Sequence, residues 1–226
     1  MPIKLERQEN IFILQLGDDE NRFDSTTIED MHRALDDIEH APGPKAMVSM
    51  GIGKFYSNGL DLSAIAKSQN QAAFLGRVDA LLIRVMTLPC LTAAAVNGHA
   101  FGAGAILALT HDYRFMRFDR GYFCLPEIDL NMSFTPVMNA LLEAGMSRAT
   151  FRDTALTGVR LGGENALQLG IIDQALPQEQ LLNAAIEKIA PLAGKAGATM
   201  GAIKQMKHEA LTRLWEKTYS KSLTVS

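Results

Sequence analysis

Cysteine is scarce in this chain: Cys90 and Cys124 are its two thiols in 226 residues. That excludes a disulfide-stapled scaffold, and no close Cys/His spacing resembles a zinc site. Both thiols lie in apolar runs, where cysteine acts as a small buried hydrophobe. A surplus of positive charge is missing too. The net charge is −3, whereas a nucleic-acid partner calls for a basic face that neutralises phosphates. Met1-Pro2-Ile3-Lys4-Leu5-Glu6 lacks the apolar stretch of a signal peptide, and Thr224-Val225-Ser226 is not a peroxisomal address of the Ser-Lys-Leu kind. The cytoplasm is therefore the expected compartment. No membrane span is expected either. Val85 to His111 holds no Asp, Glu, Lys or Arg, but Pro89, Asn97, Gly98, Gly102 and Gly104 interrupt it. A buried strand, a glycine-rich turn and a buried helix account for it better. Low-complexity linkers and repeats are absent, and 47% hydrophobic with 21% charged residues is ordinary globular composition.

What is present alternates. Apolar runs predict strands over Ile11 to Leu16, Ala46 to Met50, Leu91 to Val96, Tyr113 to Phe118, Tyr122 to Leu125 and Ile171 to Leu176. Thr26 to Glu29 has capping-box form and predicts a helix through about Ile38. Phe74, Leu75, Val78, Leu81, Leu82 and Val85 mark one face of a helix over Gln71 to Met86. Ala103 to Leu109 reads as a helix buried all round. Ser147 is a candidate cap, and a helix over Glu164 to Leu169 stops at Gly170. Gln178 to Ile189 and Thr199 to Lys217 read as amphipathic helices, with Lys204, Lys207, Arg213 and Lys217 on a solvated face. Strands and helices alternate to about residue 130 and helices dominate afterwards. The class is α/β with a helical C-terminal region.

Three segments can carry chemistry. Gly53 to Leu62 follows a buried strand and turns at Gly59. Val96 to Ala105 passes from strand through glycine-rich backbone into a helix, whose first-turn N–H groups have no internal partner and can hold an oxyanion or phosphate. Leu125-Pro126-Glu127-Ile128-Asp129 sets a carboxylate after an apolar strand, where a raised pKa suits a general base. Each segment alone also reads as a turn or tight packing. His99, His111 and Asp112 read as structural residues. Neither glycine segment matches a mononucleotide-loop or dinucleotide fingerprint.

Together, in this order, the segments resemble the crotonase (enoyl-CoA hydratase/isomerase) superfamily. Phe55 to Leu62, with Gly59-Leu60-Asp61, resembles its first oxyanion-hole loop. Ala94 to Asp112 resembles the second, and Leu125 to Leu130 its Pro-Glu segment. Gly158 and Glu164 to Asp173 resemble the helix and strand that follow. The resemblance implies a spiral of ββα turns over residues 1–190 and a helical trimerisation region over 191–226 that is not an independent domain. It implies an acyl-CoA thioester partner, coenzyme A only as part of the substrate, no separate cofactor or metal, and a homotrimer or dimer of trimers.

Carried over residue by residue, the oxyanion hole is the backbone N–H of Leu60 and Ala103, Glu127 is the catalytic acid/base, and Ser57, Asn58, Gly59, Asp61 and Gly102 bind substrate. Family hydratases carry a glutamate where this chain has Ile106. One retained carboxylate suits a proton shuttle, and the wording around Ser57-Asn58-Gly59-Leu60-Asp61 is most like the Δ3,Δ2-enoyl-CoA isomerases of peroxisomal and plant type. The same resemblance also spans acyl-CoA hydrolases, decarboxylases and lyases, and a crotonase-like protein that binds acyl-CoA without turnover. Lys54, Arg77 or a neighbouring subunit's C-terminal helix are the candidates for CoA phosphate contacts.

Overall fold

The computed structural model describes residues 3–220. The readings made of Met1, Pro2 and residues 224–226 lie outside them. Nine strands form two sheets among the described residues. The first runs β1 (Lys4–Gln8), β2 (Ile11–Gln15), β3 (Ala46–Met50), β5 (Leu91–Val96), β7 (Tyr113–Arg117), β9 (Gln174–Leu176) in spatial order. The second is β4 (Phe55–Ser57), β6 (His99–Phe101), β8 (Phe123–Cys124). Among the nine described strands β1 and β2 pair antiparallel and the other strand pairs are parallel; Phe123 of β8 also forms an antiparallel bridge with Leu161.

The chain alternates between the sheets. β3 feeds β4, β5 feeds β6 and β7 feeds β8, each through a short corner, and helices return the chain to the first sheet. These are successive ββα turns. Asn97 stitches two corners: its Oδ1 accepts the Gly51 N–H (2.8 Å), and its Nδ2 donates to the carbonyls of Gly53 (3.2 Å) and Phe55 (3.3 Å).

Period-two alternation explains why the central strands read as unbroken apolar runs. Ile11, Ile13, Ala46, Val48, Ala93, Ala95 and Phe115 pack on one face with Leu181, Ala185 and Ile189 of α8 (Gln178–Ile189). Phe12, Leu14, Met47, Ala94, Val96 and Met116 point the other way, into the main core. A parallel sheet covered on both faces needs apolar residues at every position. Ile13 alone, almost wholly buried, contributes about 1.5–3 kcal/mol.

The helices of the main core are α1 (Ser25–His40), α2 (Leu62–Lys67), α3 (Gln71–Thr87), α4 (Ala103–Leu109), α5 (Pro136–Gly145), α6 (Arg148–Ala155) and α7 (Gly163–Gln168). All seven residues of α4 are buried. Its C-terminal end is tied down by His111. Burial pushes that imidazole down to about 4, so the ring is neutral. Nδ1 donates to the Leu107 carbonyl (2.9 Å), which leaves Nε2 to accept from the Ser49 hydroxyl (2.8 Å). Asp112 is structural as well: its Oδ2 accepts from the Thr92 N–H and hydroxyl. Both cysteines are buried free thiols.

Several sequence expectations need correction. β1 was not expected; its Lys, Glu, Arg and Gln face solvent at a sheet edge, where polar residues block further pairing. Asp24, not Thr26, caps α1, accepting the Thr27 N–H. The strand expected at Tyr122 to Leu125 stops at Cys124, because Pro126, lacking an N–H, opens a 3₁₀ turn. Ile171 and Ile172 are buried in a turn before β9. The single helix expected over Thr199 to Lys217 is two, α9 (Ala198–Lys207) and α10 (Glu209–Tyr219), broken at His208. Lys204 is not solvated. It is buried, with Nζ 2.6 Å from Asp112 Oδ2 and 2.7 Å from the Cys90 carbonyl oxygen.

Candidate active site

A cavity of about 340 Å³ lies between the loop before α2, the start of α4, the 3₁₀ turn at Pro126–Ile128 and the start of α5. Leu60, Gly102, Ala103 and Glu127 line it, as does Asn58. Leu62, Leu75, Leu130, Met132, Phe134 and Met138 give it an apolar wall.

The first loop is held by residues 20–24. The Asn58 N–H donates to the Glu20 carbonyl (2.8 Å), the Phe23 N–H to Gly59 (2.8 Å) and the Asp61 N–H to Phe23 (3.1 Å). Successive N–H groups of an extended chain point to opposite sides. The Leu60 N–H therefore points away from residue 23, and no protein acceptor meets it among the described residues. Ser57, Gly59 and Asp61 stand behind the loop rather than on the cavity surface. Ser57 Oγ donates to the Asn21 carbonyl (2.7 Å) and accepts the Gly59 N–H (3.2 Å). Asp61 caps α2 through the Ser63 and Ala64 N–H groups. The Ser63 hydroxyl and those N–H groups hold its carboxyl below the usual range.

The second loop lies against the first. Gly59 sits at φ +77°, and a Cβ on it would stand 2.6 Å from the Phe101 carbonyl oxygen and 3.0 Å from the Ala103 nitrogen. Only glycine lets the two strands of backbone approach this closely. Gly102, at φ +52°, turns the chain from β6 into α4 with no side-chain cap. The Ala103 N–H opens α4 and has no partner inside the helix. Two unengaged donors, from Leu60 and Ala103, thus belong to residues that line the same cavity.

Glu127 stands beside them. A Cβ on Gly102 would be 3.1 Å from Glu127 Oε1, and Oε2 is buried with no hydrogen-bond partner among the described residues. Burial pushes its carboxyl up to about 7. A carboxyl that titrates near neutrality, with a free lone pair, can take up and return a proton. Paired N–H donors beside it can stabilise a developing oxyanion.

Ile106 is fully buried in the core and does not reach the cavity. Lys54 lies over the Phe55 ring and Arg77 pairs with Glu29 (2.9 Å); neither lines the cavity. The cations that do are Arg22, paired with Glu20 (2.7 Å), and Arg160, over the Phe101 ring (5.7 Å). Sequence reading missed both, along with Met132, Phe134 and Met138, because none belongs to a motif; Asp129 and Leu130 fall in the Pro-Glu segment but were given no part in the site. Asp129 is exposed, with its carboxylate against Gly158. Among the described residues no group of three or more His, Cys, Asp or Glu is placed to hold a metal ion. No described helix is long and apolar enough to cross a membrane.

The profile of the enoyl-CoA hydratase/isomerase family matches residues 6–224. Enoyl-CoA delta isomerase 3 of Arabidopsis thaliana is 34% identical over 227 residues, covering 95% of each chain. The peroxisomal enoyl-CoA delta isomerase 2 of the same plant is 35% identical over 181 residues, 76% of this chain and 75% of that one. The solved human mitochondrial delta3-delta2-enoyl-CoA isomerase matches with a TM-score of 0.86 over 96% of this chain and 88% of that one. At 22% identity that likeness speaks for the fold, and it bears out the ββα spiral.

Proposed function

The chain belongs to the enoyl-CoA hydratase/isomerase (crotonase) family of enzymes, and we propose that within it the protein converts 3-enoyl-CoA to 2-trans-enoyl-CoA. The observation that carries this reading is Glu127. It is a half-buried residue whose carboxyl has a buried, unpartnered oxygen and a pKa raised to about 7, beside the N–H groups of Leu60 and Ala103. Ile106, where the family's hydratases have a second glutamate, leaves no group there to activate water.

In this reading the thioester oxygen accepts from the Leu60 and Ala103 N–H groups. Glu127 takes a proton from C2, and the electron pair spreads over the thioester oxygen and C4 as a dienolate. The same carboxyl returns its proton to C4, the double bond moves from C3 to C2, and the enzyme is restored. An oxyanion-hole donor of this kind contributes on the order of 10²–10³-fold in rate. Arg22 and Arg160 are the cavity's candidates for the negative groups of coenzyme A. The assembly that goes with the reading is a trimer or dimer of trimers, checked by light scattering.

The test is incubation with 3-cis- and 3-trans-hexenoyl-CoA, following the conjugated thioester, beside Glu127→Gln. Turnover by the wild type and a fall of at least about 10²-fold in the variant are expected. A wild type that binds acyl-CoA and converts neither isomer overturns the assignment.

A further inference from the structure

Behind the apolar wall of the cavity lies a second buried carboxylate. Asp79, in the middle of α3, is wholly buried. Its Oδ1 accepts from the Thr135 hydroxyl (3.0 Å) and its Oδ2 from the Tyr219 hydroxyl (2.7 Å). No described cation pairs with it. Burying a carboxylate with neutral donors alone is costly. Leucine or asparagine would serve simple packing at less cost.

The two donors come from places that matter. Thr135 lines the cavity and caps α5, its Oγ1 accepting the Met138 N–H (3.0 Å). Met132, Phe134 and Met138 around it present the apolar surface an acyl chain would lie against. Tyr219 ends α10 and has a shaped seat on α3. A Cβ on Gly76 would stand 2.9 Å from the Tyr219 ring, and Trp215 Nε1 donates to the Gly76 carbonyl (2.7 Å). Ile83, Val137 and Tyr219 close the space between α3, α5 and α10.

We propose that Asp79 and Tyr219 are positioning residues: acting through Thr135, they fix the wall against which the acyl chain packs, and so tie chain-length preference to the C-terminal helix. This rests on the cavity being an acyl-CoA site. A short acyl group does not reach the wall and is indifferent to it. A longer one loses affinity when the wall is released.

The experiment needs no turnover. Butanoyl-, hexanoyl-, octanoyl- and decanoyl-CoA are titrated by calorimetry into wild type, Tyr219→Phe, Thr135→Val and Thr135→Ser, with thermal unfolding of each. Tyr219→Phe and Thr135→Val are expected to weaken the best-binding chain about tenfold, the size of a lost hydrogen bond to a charged group, and butanoyl-CoA by less than about twofold. Thr135→Ser, which keeps the hydroxyl, restores the wild-type pattern. Trp215 is the chain's single tryptophan and sits on α10. Its emission is expected to shift on octanoyl-CoA binding in the wild type and not in Thr135→Val. A purely structural role would lower the unfolding temperature and leave the ratio of affinities across chain lengths unmoved, and that result overturns the proposal. A wild type that binds no acyl-CoA removes the reading of the cavity as well. Binding without hexenoyl-CoA turnover removes only the isomerase assignment.

Discussion

Asp79 has a donor on each oxygen, Thr135 on one and Tyr219 on the other. Glu127 has an oxygen that no described group reaches. Burial pushes both carboxyls up, to about 6 and about 7. The two hydroxyls at Asp79 work against burial by favouring the charged form, whereas at Glu127 only a backbone hydrogen bond does so. Burial alone therefore does not mark a catalytic carboxylate. A buried polar atom left without a partner costs about 1–3 kcal/mol; Asn21 Oδ1 and His99 Nδ1 carry that cost too, but of these atoms the Glu127 oxygen belongs to the carboxyl that lines the cavity. Asp79 instead takes one donor on each oxygen and so links α3, α5 and α10.

The sharpest way to break this contrast is in the rate. Glu127→Gln is expected to lower kcat on hexenoyl-CoA by about 10²–10⁴-fold, with acyl-CoA binding retained. Asp79→Asn is expected to act mainly on KM. Equal losses of kcat in the two variants would mean that the open lone pair is not what distinguishes them.

Asp112 extends the comparison to a carboxylate with a cation. Lys204→Ala removes that partner and leaves Asp112 Oδ2 with only the Thr92 donors. Breaking this pair, in which Lys204 is buried and the Asp112 side chain is 27% exposed, is expected to cost about 2 kcal/mol in urea unfolding. Neither residue lines the cavity, so kcat should hold. A cost near zero would mean that the pair is screened as surface pairs are.

A smaller perturbation presses on Glu127 from below. Gly102→Ala forces a side chain into a conformation at φ +52°, ψ −125° and sets a methyl 3.1 Å from Oε1. The expected cost is about 1–3 kcal/mol of stability, with a lowered kcat. The same substitution at Gly145, where a Cβ meets nothing within 4 Å, should be neutral for activity.

Legibility in the sequence followed how local each cause is. β3, β5, α4 and α8 fall on the expected residues, since an apolar run or a helical period is a local signal. β1 escaped notice because an edge strand has one paired side and polar residues. Lys204 was misread because helical spacing cannot reveal a partner 92 residues away. The break at His208 carries neither glycine nor proline. At the site, motif order indicated Asn58, Leu60, Gly102, Ala103 and Glu127, which do line one cavity. Arg22, Arg160, Met132, Phe134 and Met138 are ordinary residues that only the tertiary fold brings there.

The finest separation of the two carboxylates is by pH. A group whose folded pKa is raised contributes stability that is fully present below its unfolded pKa and is lost as pH rises through the folded value. For Asp79 the window runs from 3.8 to about 6, and for Glu127 from 4.5 to about 7. The stability these two carboxyls contribute is therefore expected to fall from pH 4 upward and to level off above about 7, against the opposite slope of His111, whose lowered value adds stability as pH rises from about 4 to 6.5. Each group accounts for on the order of 2–3 kcal/mol, Glu127 for the lower figure because solvent remains around it. Glu127→Gln should flatten the upper part of that slope and make the protein more stable than wild type at pH 8, since a neutral amide replaces an unpaired buried charge. In the same window kcat/KM of the wild type should rise with pH through about 7, as Glu127 becomes the free base. Asp79→Asn should flatten the lower part and leave the pH–rate profile where it was. Denaturant titrations at half-unit pH steps, beside the rate profile, separate the two. A rate profile that moves with Asp79→Asn would show that Asp79 and Glu127 titrate as one unit.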